Sequence, residues 1–329
     1  MKILIADKFE AAGIAELEQL GAEVAVEPDL GPETLGGALK RTGAEVLIVR
    51  STKVPAPVLD ASPTLKAVIR AGAGYDNIDF DHAAERGIAV CNTPGMNAVA
   101  VAELTIGHLI NLDRRLPDQD RTLKGGKWDK AEFGKARGLK GRSILVIGTG
   151  AIGTEVIKRA QAFGMKVFAQ SRSLGDDTAR ALNIRPIPYT REALYETLPR
   201  MDAVTVHVAS TPDTQGLCGP EFFAAMQPGA YFINTSRGEL VDEKALAAAI
   251  KGKGIRAALD VYQEQPSQKS CDWKPAIADC PGVFCSHHSG ASTDQAQLAV
   301  AEEVVRIVAE FDKNGRWLHQ VNASGMAKA

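Results

Sequence analysis

The stretch SILVIGTGAIG, residues 143–153, decides the fold of this 329-residue chain. Residues 143–147 read as a buried strand that runs directly into Gly148, Gly150 and Gly153, a G-x-G-x-x-G spacing. The first glycine allows a tight turn, and the second lets backbone N–H groups approach a pyrophosphate. The third lets helix and strand pack closely, and the helix N-terminus at Ala151 and Ile152 favours negative charge. A glycine-rich turn of this spacing also arises as a purely structural strand-to-helix turn, so the context has to decide. Ile152, Val156, Ala160 and Phe163 recur at helical spacing, and a second strand-like run, 166–169, comes next. The stretch reads as a dinucleotide-binding turn.

The length allows two domains, each large enough for its own core. Apolar residues make up 45% and charged residues 24%, ordinary values for a soluble globular protein. A net charge of −2 gives no electrostatic case for nucleic acid or an anionic membrane as partner. The opening MKILIADKFE reads as a first strand rather than a signal peptide. No apolar run approaches the roughly 20 residues needed to span a bilayer. Cys91, Cys218, Cys271, Cys280 and Cys285 form no C-x-x-C pair and fit no disulfide framework. Free thiols in a reducing cytoplasm, and no metal site, are the expectation.

Short apolar runs alternate with helical stretches from end to end. The strand expectations are 3–6, 24–26, 46–49, 67–69 and 88–90, then 144–147, 167–169, 203–206, 231–233, 257–259 and 283–285. Such alternation implies right-handed βαβ units, parallel sheets and an α/β class. Two sets imply two doubly wound parallel-sheet domains: a flavodoxin-like substrate domain, 1–98 with 294–329, and a Rossmann dinucleotide domain, 99–293. A helix over 97–112 could carry the chain from the first to the second. Near the end, Ser292 and Gln295 form a plausible capping box. Val300, Val304, Ile307, Val308 and Phe311 then make an apolar stripe that suits core packing better than a partner surface. The tail from Ala323 is small and polar and is expected to fray. The active site is expected in the cleft beyond the strands' carboxyl ends.

Interconverting a 2-oxo acid and a 2-hydroxy acid needs a cation to hold and polarise the carboxylate and carbonyl. It also needs a group to move the hydroxyl proton, and usually a neighbour to tune that group. Arg237 follows the 231–233 run, and His287 and His288 follow 283–285. An arginine after a strand is more often a surface charge, and a histidine there is often a satisfied loop residue. Together, on neighbouring strand ends, they carry more weight.

The segments VRSTKV (49–54), RAGAGYDNID (70–79), CNTP (91–94), GKW (126–128), ALDVY (258–262) and GAST (290–293) complete a pattern. With them the chain resembles the D-isomer-specific 2-hydroxyacid dehydrogenases over nearly its whole length. Within that family it is most similar to the short D-3-phosphoglycerate dehydrogenases that lack an appended regulatory domain. The resemblance implies that Arg237 pairs with the substrate carboxylate and polarises its carbonyl, a task suited to a fixed fork of donors. It makes His288 the proton donor in reduction and acceptor in oxidation, with His287 structural. Backbone N–H groups around Gly72, Ala73 and Gly74 would hold the carboxylate, although that glycine run also reads as a plain tight loop. His207, Thr235, Ser236, Asp260 and Gly290 join Gly148, Gly150, Ala151, Ile152 and Gly153 around the cofactor.

One position departs from the family. Where a glutamate normally precedes the proline and raises the histidine's pKa, this chain has Gln265 before Pro266, with Glu264 one residue earlier. Glutamine can orient an imidazole but supplies no charge, so His288 should titrate lower than in a Glu–His pair. The family's formate dehydrogenases carry glutamine here and need no acid/base help, but their other signatures are not evident in this chain.

Arg50, Ser51, Lys53 and Arg70 could form a phosphate-binding cluster, against the alternative of scattered surface charge. Lys130 matches a basic position that reaches the neighbouring subunit's site, in a homodimer formed through the nucleotide domain around 100–140. NAD specificity would need a carboxylate about 20 residues after the fingerprint. Here Ser171 takes the usual acid's place, and Arg172 could pair with a 2′-phosphate, so NADP is expected ahead of NAD. The resulting expectation is oxidation of D-3-phosphoglycerate to 3-phosphohydroxypyruvate in serine biosynthesis. An NADPH-dependent glyoxylate or hydroxypyruvate reductase is the enzymatic alternative, and a dinucleotide-sensing binding protein the non-enzymatic one.

Overall fold

A computed structural model of the chain describes residues 1–323 apart from 267 and 269. The expected fraying of the tail falls, beyond residue 323, outside the described residues. The chain divides into two compact units, Met1–Asn97 with Ser292–Ala329, and Ala98–Ala291.

The first unit is built on β1 (Lys2–Ile5), β2 (Glu23–Val26), β3 (Val46–Val49), β4 (Ala67–Arg70) and β5 (Ala89–Asn92), all parallel, in the order β2-β1-β3-β4-β5. This is the flavodoxin-like order. Because strand side chains alternate, each strand feeds two cores. Leu4, Leu47, Val68 and Val90 pack with Leu35, Leu39 and Leu59 on one face. Ile3, Ile5, Val46, Ile48 and Ile69 pack with Leu17, Val304, Ile307 and Val308 on the other. Burial on both faces explains why these strands are continuous apolar runs rather than alternating ones.

The Asp294–Asn314 helix thus lays its stripe into the first unit's core, and Phe311 at its end stacks on Trp317 with centroids 3.8 Å apart. Its cap differs from the expectation. Thr293, not Ser292, is the N-cap, and its Oγ1 accepts from Ala296 N–H at 3.2 Å. Adjacent hydroxyl residues offer the same chemistry, and the helix register chooses between them.

The second unit is built on β6 (Ser143–Ile147), β7 (Lys166–Gln170), β8 (Arg185–Pro186), β9 (Ala203–Val206), β10 (Tyr231–Asn234), β11 (Arg256–Leu259) and β12 (Val283–Cys285). Its order is β12-β11-β10-β9-β6-β7-β8, and every pairing is parallel. From β6 the chain works outward to β8, then returns to lay β9 on β6's other side. The order reverses between β6 and β9, which is where an open α/β sheet forms its ligand crevice. The Ala98–Arg114 helix covers one face through Ala102, Ile106, Leu109 and Leu112. β8 was missed in the sequence: two exposed residues at the sheet edge, one of them a proline, carry no apolar signal.

No described helix is long and apolar enough to cross a membrane. Among the described residues no group of His, Cys, Asp and Glu could hold a metal ion. All five cysteines are free thiols.

Candidate active site

In the second unit, the candidate residues other than Lys130 fall at or after the carboxyl ends of β6, β7, β9, β10, β11 and β12. The glycine turn after β6 is fixed by sterics. Gly148 has φ +98°, and a Cβ there would stand 2.4 Å from the His207 carbonyl oxygen. A Cβ on Gly153 would stand 1.9 Å from the Gly148 carbonyl oxygen. Gly150 instead faces open space and caps the Ala151–Ala162 helix. The first intrahelical bond is Thr154 N–H to Gly150 O at 2.9 Å, so the N–H groups of Ala151, Ile152 and Gly153 lie ahead of it. A tight turn, a clear approach and unsatisfied helix-terminal donors fit a dinucleotide pyrophosphate.

At the end of β7, the buried Gln170 donates from Nε2 to Pro188 O at 2.7 Å and Thr190 O at 2.9 Å. Its amide therefore braces a neighbouring loop. The half-buried Ser171 and exposed Arg172 follow, and the next carboxylate is Asp176, in the first turn of the Asp176–Ala181 helix.

After β9, His207 Nε2 lies 2.9 Å from Thr205 Oγ1, while its buried Nδ1 has no partner among the described residues. Burial lowers its pKa to about 3, so the ring is neutral. After β10, one side chain locks the turn. Asn234 Oδ1 accepts from Ser236 N–H at 3.0 Å and Ser236 Oγ at 2.8 Å, and Asn234 Nδ2 donates to Arg237 O at 2.8 Å. Arg237 Nη1 donates to Ser236 O at 2.8 Å, and Thr235 Oγ1 sits 3.0 Å from Thr105 Oγ1. Gly238 is required by crowding: a Cβ would lie 2.1 Å from the Tyr262 backbone carbonyl.

The ends of β11 and β12 are joined by Asp260, which is 1% exposed. Its Oδ1 accepts from Ser286 Oγ at 2.6 Å and Ser289 N–H at 2.9 Å, and its Oδ2 accepts from Gly290 N–H at 2.9 Å. Its backbone carbonyl accepts from His288 N–H at 2.8 Å. This clasp holds His288 at φ +48°, the left-handed region that L residues enter only when held. Both His287 and His288 are exposed.

Gln265 meets His288. Its Oε1 accepts from Tyr262 N–H at 3.2 Å, which leaves its Nε2 facing His288 Nδ1 at 2.7 Å. Because a backbone N–H can only donate, the amide orientation follows from Tyr262. The Gln265 amide then donates to Nδ1, and the ring proton goes to Nε2. A glutamate in this place would instead accept from Nδ1–H. Glu264, one residue earlier, lines a surface groove with Tyr262 and Trp273.

In the first unit, Arg50, Ser51 and Lys53 follow β3, Arg70 ends the neighbouring β4, and Gly72–Gly74 follow it. The buried Asp7 Oδ2 accepts from the N–H groups of Arg50, Ser51 and Thr52 at 2.7, 3.1 and 3.0 Å. Those amides are therefore committed, and only side chains there can meet a ligand. Arg50 is itself bonded to Gln297 Oε1, so its guanidinium is partly engaged. Gly72 has φ +146°, and a Cβ on it would run into the Arg70 guanidinium. Asn92 Nδ2 donates to Ala73 O at 2.6 Å, and Thr93 N–H to Gly72 O at 3.1 Å. Among the described residues, the Ala73 and Gly74 N–H groups have no acceptor. Lys130 belongs to the second unit, exposed in the short Lys130–Phe133 helix.

Sequence reading missed Asp7, Asn234, Tyr262 and Ser286. The Asn–Thr–Ser run that begins at the last residue of β10 was a usable signal for Asn234, since Asn side chains close such turns. The others act across the fold and leave no local mark.

The sequence pattern described as D-isomer specific 2-hydroxyacid dehydrogenase, NAD binding domain, matches residues 106–290. The chain is 38% identical over 314 residues to D-3-phosphoglycerate dehydrogenase of Methanocaldococcus jannaschii, covering 94% of this chain and 57% of that protein. It thus spans less than two thirds of that relative. Among solved structures, NAD+-bound 3-phosphoglycerate dehydrogenase of Entamoeba histolytica superposes with a TM-score of 0.79 at 27% identity, covering 98% of both chains. NADPH-dependent glyoxylate/hydroxypyruvate reductase of Sinorhizobium meliloti, in complex with NADP and malonate, gives 0.81 at 27%, covering 100% of this chain and 98% of that one. With its glycine turn, its strand-end arginine and histidine and this match, the chain belongs to the D-isomer specific 2-hydroxyacid dehydrogenase family.

Proposed function

We propose that the protein interconverts D-3-phosphoglycerate and 3-phosphohydroxypyruvate with a nicotinamide dinucleotide. The observation that carries the reaction class is the Gln265–His288 pair held beside Asp260, with Arg237 two strands away on the same sheet edge. The turn from Gly148 to Gly153, with Ser171, Arg172, His207, Thr235, Ser236, Asp260 and Gly290, would hold the dinucleotide. Bound there, the nicotinamide supplies or takes up a hydride. Arg237 pairs with the substrate carboxylate and polarises the carbonyl, while His288 as imidazolium donates the Nε2 proton to the substrate oxygen. As a neutral ring protonated on Nδ1, with the Gln265 amide turned to accept from it, His288 takes that proton up in oxidation. Arg50, Ser51, Lys53 and Arg70 are the phosphate ligands, Lys130 serves the neighbouring subunit's site, and the Gly72–Gly74 amides hold the carboxylate. The phosphorylated substrate draws support from that basic set and from the names of the curated relatives.

A second reading, an NADPH-dependent reductase of glyoxylate or hydroxypyruvate, is favoured by one observation: Ser171 and Arg172 leave the 2′ position without a carboxylate. Absorbance at 340 nm with each of the three acids, NADH and NADPH decides. Highest kcat/KM on 3-phosphohydroxypyruvate upholds the first reading, and preference for either unphosphorylated acid transfers the function to the second.

Three substitutions test parts of this reading. Replacing Gln265 by Glu places a carboxylate 2.7 Å from Nδ1 and favours the imidazolium. The expected result is a higher kinetic pKa for His288, with the acid limb of the oxidation profile moved to higher pH. An unchanged profile would mean that residue 265 does not govern the proton. Replacing Arg172 by Ala removes a charge-assisted hydrogen bond to a 2′-phosphate, about 1.5–3 kcal/mol or roughly ten- to a hundred-fold in NADP(H) selectivity. Ser171→Asp should act in the same direction by repulsion. The ratio of kcat/KM for the two cofactors reads both, and a parent that already strongly prefers NADH contradicts the NADP preference.

A homodimer through the second unit belongs to the same proposal. The segment carrying Leu116, Leu123 and Trp128 exposes all three, Trp128 by 77%. Sedimentation of the parent chain reads the assembly directly.

A further inference from the structure

His108 is a buried titratable side chain to which the reaction above gives no task. It lies in the Ala98–Arg114 helix, 5% exposed, on a helix whose buried positions include Ala102, Ile106, Leu109 and Leu112. An imidazole among such neighbours needs a polar partner. Its Nε2 is 3.0 Å from Ser286 Oγ, and that hydroxyl donates to Asp260 Oδ1 at 2.6 Å.

A hydroxyl carries one proton. With it directed at Asp260, Ser286 can only accept from His108, so the His108 proton sits on Nε2. Nδ1 is buried with no partner among the described residues, which suits a neutral ring that carries no proton there. Burial lowers this imidazole's pKa, outweighing the opposite pull of Asp260, and so keeps the ring neutral. Beyond Ser286, Asp260 gathers Ser289 N–H, Gly290 N–H and, through its carbonyl, His288 N–H. Gly290 leaves little slack, since a Cβ on it would lie 3.1 Å from Asp260 Oδ2 and 3.4 Å from Val101.

We propose that His108 is a positioning residue, whose Nε2–H fixes the Ser286 hydroxyl and thereby aims Asp260 at the turn that carries His288. The chain His108–Ser286–Asp260 links the helix core to the proton-transfer group, and it rests on the reading of His288 given above. It predicts that donor capacity at position 108, rather than bulk, governs turnover.

Histidine side-chain 15N NMR on the full-length, labelled protein reads the tautomer without any assay. The expected spectrum shows His108 neutral at pH 7 with its proton on Nε2, and Ser286→Ala shifts that resonance. In assays, His108→Leu keeps an apolar side chain of similar volume in the core and should lower kcat about tenfold or more, with nucleotide KM within about twofold. His108→Gln offers an amide N–H to the same hydroxyl and should regain most of the loss. A ring protonated on Nδ1, full kcat in His108→Leu, or equal losses in the Leu and Gln variants would overturn the proposal. Should the parent reduce no 2-oxo acid, the reading of His288 falls with the spectrum unaltered. Should the ring carry its proton on Nδ1, this proposal falls with the activity intact.

Discussion

Replacing His288 by Ala is expected to lower turnover about 10²–10⁴-fold while cofactor affinity changes little. The left-handed backbone at His288 is held from outside the side chain, by the N–H to Asp260 carbonyl bond and by the bonds from Ser289 and Gly290. Truncating the imidazole should therefore leave the turn in place and remove only the proton-transfer group. His287→Ala is the control: its side chain is exposed and one residue away on the same turn. Steady-state kcat for both variants, with nucleotide titration alongside, separates chemistry from binding. Full activity in His288→Ala would remove the histidine from the reaction and leave the proton to water or another group.

The second large effect should come from Asp260→Ala. This substitution removes the acceptor of Ser286 Oγ, Ser289 N–H and Gly290 N–H together. Each buried donor left without an acceptor costs about 1–3 kcal/mol, so the variant should lose about 3 kcal/mol or more of stability. It should also lose the register of the His288 turn and at least about 100-fold in kcat, as expected of a catalytic group moved by about 1 Å. Asp260→Asn should fall between the two, because its Oδ1 still accepts from Ser286 and Ser289 while its amide N–H₂ faces the Gly290 N–H. Differential scanning calorimetry and kcat, read on both variants, check the order. Wild-type melting in Asp260→Ala would show that the three bonds do not hold the turn.

The parts of this protein that are local in sequence were legible there. The glycine turn could be read because strand, turn and helix follow one another within residues 143–153. Eleven strands stood out because strands buried on both faces are short apolar runs, and only their ends moved by a residue or two. The pairing of Gln265 with His288 bridges 23 positions, and Asp260 with Ser286 bridges 26. His108 and Ser286 are 178 positions apart, a separation that no periodicity can close. The Gln265 amide orientation, which sets the His288 tautomer, depends on a Tyr262 backbone N–H that no composition or motif reveals. Likewise, Arg50 read as a free basic ligand in the sequence, but the fold brings Gln297 from the far end of the chain to its guanidinium.

The central claim is that this chain moves a hydride between a nicotinamide and C2 of an acid, producing the D hydroxy acid. Incubation of the parent enzyme with hydroxypyruvate and reduced NAD or NADP deuterated at nicotinamide C4 tests it directly, with NMR and chiral chromatography of the glycerate formed. The account predicts D-glycerate carrying deuterium at C2, obtained with whichever face of the nicotinamide bears the label that transfers. Glycerate of L configuration, or D-glycerate free of deuterium with the label on either face, would contradict it.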